Sequence, residues 1–299
     1  MSRKIIYLIN PISGTKEKSA LKELIARKTQ EHGIDFEIVP TNAAGDYYFL
    51  KKRIKKEHIT DIVICGGDGT VSSVAASMIG VPVNTGIIPL GSGNGLALAA
   101  KIPKQSSKAL DIIFKGKASF IDGFYINNEF SCMLCGLGFD ALVAHEFAKQ
   151  KKRGLQTYIK VGAINFFKTN PYPFEIKLKN KSLSVDAFFI SIANGNQFGN
   201  NFTIAPKASL EDGLLDIVIV KKMSKFLLPF SIINQISGIN AMQNINDYAD
   251  KRNIIYFQTP SLTIHNTNEA PLHIDGDPKN TAKKFEIRVV QKALKLLQP

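Results

Sequence analysis

Three glycine-containing segments of the sequence carry residue types that bind phosphate groups. They begin at Asn10, Gly66 and Gly91, and they read NPISG, GGDGT and GSGN. Glycine lets backbone N–H groups approach an anion closely, and the N-terminus of a following helix adds free donors. Each segment follows a short apolar run, and ligands of open parallel sheets bind beyond the carboxyl ends of the strands. The three segments therefore predict an anion-binding rim at one edge of a sheet.

The middle segment also carries an acid, Asp68, between Gly67 and Gly69. A carboxylate at this point repels phosphates unless a cation intervenes, so Asp68 predicts Mg²⁺ or a structured charge network. Helix capping is the simpler role, although capping alone would not require the flanking glycines. The chain contains no Walker A loop, and the segment is not the GxGxxG of a dinucleotide-binding fold. The site is therefore expected to be a phosphate site of another kind.

The elements that must position these segments alternate along the first 115 residues. The strand patterns cover residues 4–9, 36–39, 61–65 and 85–90. The helix patterns cover residues 16–32, about 46–56, and 71–79. This alternation predicts a mostly parallel sheet with helices on both faces.

Strand patterns dominate from about residue 118, and short turns between them favour antiparallel pairing. Helical inserts are expected at about 141–168 and 225–240. The sequence thus predicts an α/β nucleotide-binding domain over 1–117 and a mainly antiparallel β-sandwich domain with helical inserts over 118–287. The last segment, about 288–299, is expected to return to the first domain.

Composition limits the classes of partner and the compartment. The net charge is +13, with 38 Lys and Arg against 25 Asp and Glu, which favours polyanionic partners or an anionic membrane surface. The apolar runs are far shorter than the roughly 18–20 residues of a membrane-spanning helix. Cys132 and Cys135 lie in an apolar stretch without a second pair, so they are expected to be core residues. A cytoplasmic protein that contacts the membrane peripherally fits these features.

Five motifs in order resemble the diacylglycerol kinase catalytic-domain family, which includes the sphingosine and ceramide kinases. They are NPISG, ICGGDGTVSSV, IPLGSGNGLALA, PKASLEDGLLDIVIV and HIDGD. The resemblance runs nearly end to end. It implies a first domain like those of NAD kinase and phosphofructokinase, with ATP bound in the cleft between the two domains. It also implies Mg²⁺ as the metal and a lipid hydroxyl as the acceptor of the γ-phosphate.

The resemblance also assigns site residues. It implies nucleotide contacts at Asn10, Ser13, Gly14, Thr41, Gly66, Gly67, Asp68, Gly69, Thr70, Gly91, Ser92, Gly93 and Asn94. For the metals it implies a structural Mg²⁺ at Asp212 with the backbone oxygens of Ser209 and Leu214, and a catalytic Mg²⁺ organised by Asp68 and, through water, Asp122.

The general base implied by the family's DGE motif falls on Asp277, one methylene shorter than the family's glutamate, with Asp275 as the alternative base. Gly95 is a second departure, because many bacterial members carry an acid there. The most favoured acceptor is diacylglycerol, giving phosphatidic acid. Gly95 favours the alternative of a sphingoid base.

The acceptor is expected to bind in the second domain, where the basic and apolar insert at 141–168 suits a lipid tail or a membrane surface. Asp140, just before it, is expected either to hold a polar lipid head or to cap a helix. The alternative for the insert is a core-facing helix with a solvated charged loop. A homodimer is also expected.

Three other functions remain open. NAD kinase shares GGDGT but fits the later motifs poorly. A catalytically weak lipid or nucleotide sensor is suggested by Asp277 and Gly95. A nucleic-acid binder is suggested by charge alone, but the chain lacks a stacking-aromatic stripe or a known DNA-binding module, so no nucleic-acid partner is expected. The five histidines are scattered, and His273 is expected only to occupy a strand.

Overall fold

The computed structural model describes residues 2–13, 18–42, 44–150, 155–166, 168–197, 203–243 and 252–299. Its elements form two units that share strands. The first unit contains β1 (Lys4–Ile9), α1 (Lys18–Glu31), β2 (Asp35–Pro40), α2 (Phe49–Glu57), β3 (Asp61–Gly66), α3 (Asp68–Met78), β4 (Asn84–Pro89), α4 (Gly95–Ala99) and α5 (Ser106–Lys115).

The second unit is mainly strand. Its elements are β5 (Lys117–Ile126), β6 (Glu129–Ser131), β7 (Leu134–Gly138), α6 (Phe139–Ala148), α7 (Leu155–Phe166), β8 (Tyr172–Leu178), β9 (Lys181–Ala193), β10 (Leu215–Lys221), α8 (Leu228–Ile236), β11 (Ile254–Thr259), β12 (Ser261–His265), β13 (Leu272–Ile274), β14 (Asp277–Lys279) and β15 (Lys284–Gln298). No helix in the described ranges is long and apolar enough to cross a bilayer.

The first sheet is parallel in the order β2–β1–β3–β4. Residues 5–8 of β1 are fully buried, as expected for a strand covered by helices on both faces. Strand β15 continues this sheet because Lys295 and Leu296 pair in parallel with Asn84 and Thr85 of β4. All four parallel strands therefore end at the edge where the three glycine-containing segments begin.

The second unit is an antiparallel sandwich, so the predicted fold class is confirmed. Strand β9 runs from one sheet to the other: its first half pairs with β8, and its second half pairs with β7 and β10. Alternate residues of the strands fill the space between the sheets, for example Ile190, Ile192, Ile217 and Ile219. The hairpin β13–β14 extends the sheet of β7 towards the first unit.

Strands β5 and β15 pass through both units. Residues 287–290 of β15 pair with β5 inside the sandwich, and residues 294–298 pair with the start of β5 beside the first sheet. The register shifts between Val290 and Leu294, where Lys292 has a φ of 53°. This bulge lets one strand take part in two differently oriented layers.

Candidate active site

Backbone hydrogen bonds hold the ends of the parallel strands together. The N–H of Asn10 donates to Cys65 O at 3.0 Å, and the N–H of Thr41 donates to Ile9 O at 3.0 Å. The N–H of Leu90 donates to Gly66 O at 2.9 Å. The segments that follow β1, β2, β3 and β4 therefore leave the sheet side by side, as the sequence predicted for three of them.

The first two segments are also joined by side chains. Asn10 Nδ2 donates to Thr70 Oγ1 at 2.8 Å, and Asn10 Oδ1 accepts the N–H of Ile12 at 3.0 Å. Ser13 ends the described part of this segment, and its carbonyl accepts a hydrogen bond from the Lys18 ammonium. Gly14 lies outside the described residues.

The second and third segments touch through their backbones. A Cβ on Gly91 would lie 2.6 Å from the Cα of Gly67, so only glycine fits there. Asn94 has a φ of 55° and closes the third segment on itself, accepting the N–H of Gly91 at 2.8 Å and donating to its carbonyl at 2.6 Å. Ser92 is exposed and Gly93 is partly exposed between them. We call the three segments together the rim.

Asp68 connects the second segment to the helix after the third. It is the first residue of α3, but its carboxylate accepts the N–H groups of Gly95 at 2.9 Å and Leu96 at 3.0 Å, at the start of α4. Burial raises the pKa of Asp68, and the nearby Asp277 carboxylate raises it further. Asp68 therefore does cap a helix, but that helix is α4 and not α3, in which Asp68 itself lies.

The turn between β13 and β14 brings two acids of the second unit to the rim. Asp275 and Gly276 both have positive φ, 53° and 83°. Asp275 Oδ2 accepts the Ser72 hydroxyl of α3 at 2.6 Å, and Oδ1 accepts the Ser131 hydroxyl of β6 at 2.7 Å. The N–H of Asp275 donates to Leu134 O at 2.9 Å. The Asp275 carboxylate therefore joins the two units, and both of its oxygens take part in hydrogen bonds.

Asp277 is placed differently from Asp275 because it is exposed. A Cβ on Gly69 would lie 2.5 Å from Asp277 Oδ2. The carboxylate of the second unit therefore lies directly against the glycine backbone of the rim. The aspartate side chain is therefore long enough to reach the rim.

Burial raises the pKa of Asp275 to about 6. Protonation of Asp275 therefore stabilises the folded state, a contribution fully present below about pH 3.9 and lost as pH rises through about 6. The Asp275→Asn variant has no group that titrates at this position, so its stability lacks this dependence on pH. From about pH 4.5 to 7.5, the free energy of unfolding of the unmodified protein should fall by about 2 kcal/mol relative to that of the variant. Urea unfolding at several pH values measures this difference; parallel pH profiles for the two proteins would contradict it.

Asp140 lies behind the β13–β14 turn. Its carboxylate is buried, accepts the N–H of Ala141 at 2.8 Å, and lies 3.3 Å from His273 Nε2. The Nδ1 of His273 accepts the N–H of Gly276 at 3.2 Å, which requires the hydrogen to be on Nε2 when the ring is neutral. A Cβ on Gly136 would lie 2.0 Å from Asp140 Oδ2, so glycine makes room for the pair. The pair supports the turn that carries Asp275 and Asp277.

The DGLLD turn forms a separate cluster. Asp212 accepts the N–H of Leu214 at 3.0 Å and the Gln258 amide at 3.2 Å. Asp122 is buried and accepts the N–H groups of Gly213 at 2.7 Å and Lys292 at 2.8 Å. Asp122 therefore joins this turn to the β15 bulge. Ser209 lies just before the turn, and its hydroxyl accepts the N–H of Glu211 at 3.4 Å.

Sequence reasoning missed three polar residues that organise the site. They are Ser72 and Ser131, which hold Asp275, and Asn194, which donates to the carbonyls of Asp122 at 2.9 Å and Cys132 at 2.8 Å. It also gave His273 no role beyond its strand. The only signal in the sequence was a polar residue within an apolar segment. Such a residue is expected to need a hydrogen-bond partner, but the sequence does not tell which residue that partner is. Cys132 and Cys135 are buried and free, as predicted.

Comparisons with known proteins match both units to known domain families. Residues 4–126 match the model of the diacylglycerol kinase catalytic domain, and residues 134–298 match the YegS C-terminal NAD kinase beta sandwich-like domain. The probable lipid kinase YegS-like of Yersinia enterocolitica is 27% identical, with 100% of this chain and 98% of the relative covered. The probable lipid kinase YegS of Salmonella typhimurium is 29% identical, with 95% and 92% covered.

A solved structure has the same fold. A diacylglycerol kinase from Bacillus anthracis str. Sterne superimposes with a TM-score of 0.71 over 99% of this chain and 97% of its own, at 17% identity. The resemblance indicated by the five motifs is thus confirmed by family models that cover both units. The chain belongs to the family that joins a diacylglycerol kinase catalytic domain to a YegS-type C-terminal sandwich domain.

Proposed function

We propose that the protein is a lipid kinase that transfers the γ-phosphate of ATP to the hydroxyl of diacylglycerol and gives phosphatidic acid. The observation that carries the proposal is the approach of Asp277 to Gly69, which places an exposed acid of the second unit against the rim of the first. The names of the YegS relatives, probable lipid kinases, support the class of reaction.

The rim would bind the phosphates of ATP. The backbone N–H groups of the three segments and the start of α3 are the donors that an anion requires. Thr41, which leaves β2 beside Asn10, would contact the nucleotide. Because Asp68 fixes the start of α4 against the second segment, it keeps the segments in one arrangement before ATP binds.

Asp277 would act as the general base. The lipid oxygen attacks the γ-phosphorus, the bond from that phosphorus to the bridging oxygen of ADP breaks, and the hydroxyl proton passes to the Asp277 carboxylate. Asp275 is a weaker candidate because both of its oxygens already accept hydroxyl groups. We assign Asp275 to holding the turn, and Asp277 to the chemistry.

Mg²⁺ fits the donors at the rim. Asp68 and Asp277 both supply carboxylate oxygens there. The two carboxylates are close enough that the charge of Asp277 raises the pKa of Asp68. Within the described ranges no three His, Cys, Asp or Glu side chains converge as a metal site. Mg²⁺ is usually held by one or two carboxylates together with substrate phosphates. Asp68 would hold the ion, which neutralises phosphate charge when bound.

A second, structural Mg²⁺ is proposed at the DGLLD turn. The Asp212 carboxylate and the carbonyls of Ser209 and Leu214 would be its ligands, since all are hard oxygen donors. Burial raises the pKa of Asp212, and the nearby Asp122 charge raises it further, which a cation would offset. Asp122 would influence this structural ion through its hydrogen bond to the turn. This role would be additional to the one that the family resemblance implies, which is a water-mediated link to the catalytic Mg²⁺.

The test is transfer of label from [γ-³²P]ATP to lipid, with Mg²⁺ or with EDTA. Vesicles of phosphatidylglycerol would contain diacylglycerol, sphingosine, ceramide or monoacylglycerol, and NAD would be offered in solution. We expect Mg²⁺-dependent labelling of diacylglycerol. Labelling of sphingosine alone would mean that the acceptor is a sphingoid base and not diacylglycerol. Labelling of NAD would mean that the protein is a NAD kinase. ATP binding without any labelling would favour a sensor.

A further inference from the structure

Helix α8 and its flanks expose a concentrated set of apolar side chains. We call it the α8 ridge, and its members are Phe226 at 84% exposure, Leu227 at 52%, Phe230 at 69%, Ile233 at 60% and Ile239 at 72%. These five are half of the ten exposed large hydrophobic residues of the described chain. Phe230 and Ile233 are three residues apart within α8 and lie on one face, and Phe226 and Leu227 immediately precede the helix. A concentration of exposed apolar side chains in one short segment is typical of an interaction site.

The opposite face of α8 is attached to the protein. Leu228 and Gln235 are buried, and Gln235 Nε2 donates to Ile204 O at 2.8 Å. Ile232 packs against the same core cluster that contains Val218 and Tyr256. The ridge is therefore presented outward by a helix that is held in place from the other side.

The charged residues nearest the ridge in the chain are basic. Three lysines, Lys221, Lys222 and Lys225, immediately precede it, and no Asp or Glu occurs between Asp216 and Asp247. Apolar side chains on one face with lysines beside them are the composition of a helix that lies in the surface of an anionic bilayer. A second copy of the chain fits this surface poorly, because it would bring two sets of lysines together.

We propose that the α8 ridge docks the protein on anionic membranes, with Phe226, Phe230 and Ile233 entering the boundary between headgroups and acyl chains. The sequence had suggested the insert at 141–168 for this contact. The two placements can be separated, because Ile164 of α7 is also exposed, at 51%. Docking does not require phosphate transfer, so it can be tested whether or not the protein proves to be a kinase.

The test is co-sedimentation with vesicles of phosphatidylcholine and phosphatidylglycerol in equal parts. Phe226→Ser combined with Phe230→Ser should weaken binding roughly ten- to a hundredfold. Lys222→Gln should weaken it roughly fivefold at low salt and less at high salt. Ile164→Ser is the matched control and should bind normally. Because the exchanged side chains are exposed, the thermal unfolding midpoint should not change.

Three results would overturn the proposal. The unmodified protein could fail to bind anionic vesicles, or the double serine variant could bind them normally. Sedimentation velocity could also show that the unmodified protein is a dimer and the double serine variant a monomer, while both bind vesicles normally. The ridge would then be a contact between two chains.

Transfer to detergent-dispersed lipid should be unchanged in the double variant. Loss of transfer in every protein would reject the kinase without touching the docking result.

Discussion

Asp277→Asn is expected to lower the rate of phosphate transfer by roughly 10²- to 10⁴-fold while leaving ATP affinity unchanged or slightly higher. The amide has the same size, so it still fits against Gly69, but it cannot accept the proton of the lipid hydroxyl. Removing its charge also lessens the repulsion with Asp68. The measurements are kcat with the lipid that labels, and the Kd for ATP by calorimetry.

The companion variants decide which acid is the base. Asp277→Glu restores the family's glutamate and should keep at least part of the rate. Asp275→Asn retains a neutral group between Ser72 and Ser131, and it should change stability more than the rate. If Asp275→Asn abolished transfer while Asp277→Asn remained active, the base would be Asp275, and the proposed division of roles would be wrong.

Asp68→Ala is expected to abolish measurable transfer and to cost about 2 kcal/mol or more of stability. The variant leaves the N–H groups of Gly95 and Leu96 without their carboxylate partner, and hydrogen bonds to charged groups contribute about 1.5–3 kcal/mol each. The third segment would then lose its fixed position beside the second. Transfer assays, ATP titration and urea unfolding measure the three consequences.

A second variant separates loop positioning from metal binding. Asp68→Asn keeps one carbonyl oxygen as an acceptor but removes the charge. If Asp68 only positions α4, Asp68→Asn should retain much of the activity that Asp68→Ala loses. If Asp68 also holds Mg²⁺, both variants should be inactive at every Mg²⁺ concentration. Asp111→Asn, which changes an exposed carboxylate paired with Lys28, is the control and should leave transfer unchanged.

The rim could be predicted from sequence because its signals are local. Two of the three segments place glycines directly after an apolar strand, at Gly66 and Gly91, and parallel strands must end at one edge. The helix at the centre of the α8 ridge was also predicted, at about 225–240, and α8 covers Leu228–Ile236. Periodicity identifies an amphipathic helix, but it does not say whether the apolar face is packed or left exposed.

The contacts that position the acids could not be predicted in this way. Ser72 and Asp275 are 203 residues apart in the chain, and Ser131 and Asp275 are 144 apart. The partners of Asp68 are backbone N–H groups, which every residue except proline possesses, so no residue type marks them. His273 looked like an ordinary strand residue because its relation to Asp140 exists only after β7, α6 and β13 have assembled.

Strand β15 has a consequence for how the protein is made. In the described sheet β4 has only β3 and β15 as neighbours, and the start of β5 pairs with β15 as well. During synthesis the first unit leaves the ribosome early, yet its sheet keeps an open edge until Lys295 and Leu296 have been added. Domains usually fold one after another as they emerge. Because the sheet of the first unit gains β15 only after the second unit has been made, we expect the two units to fold together in one cooperative step.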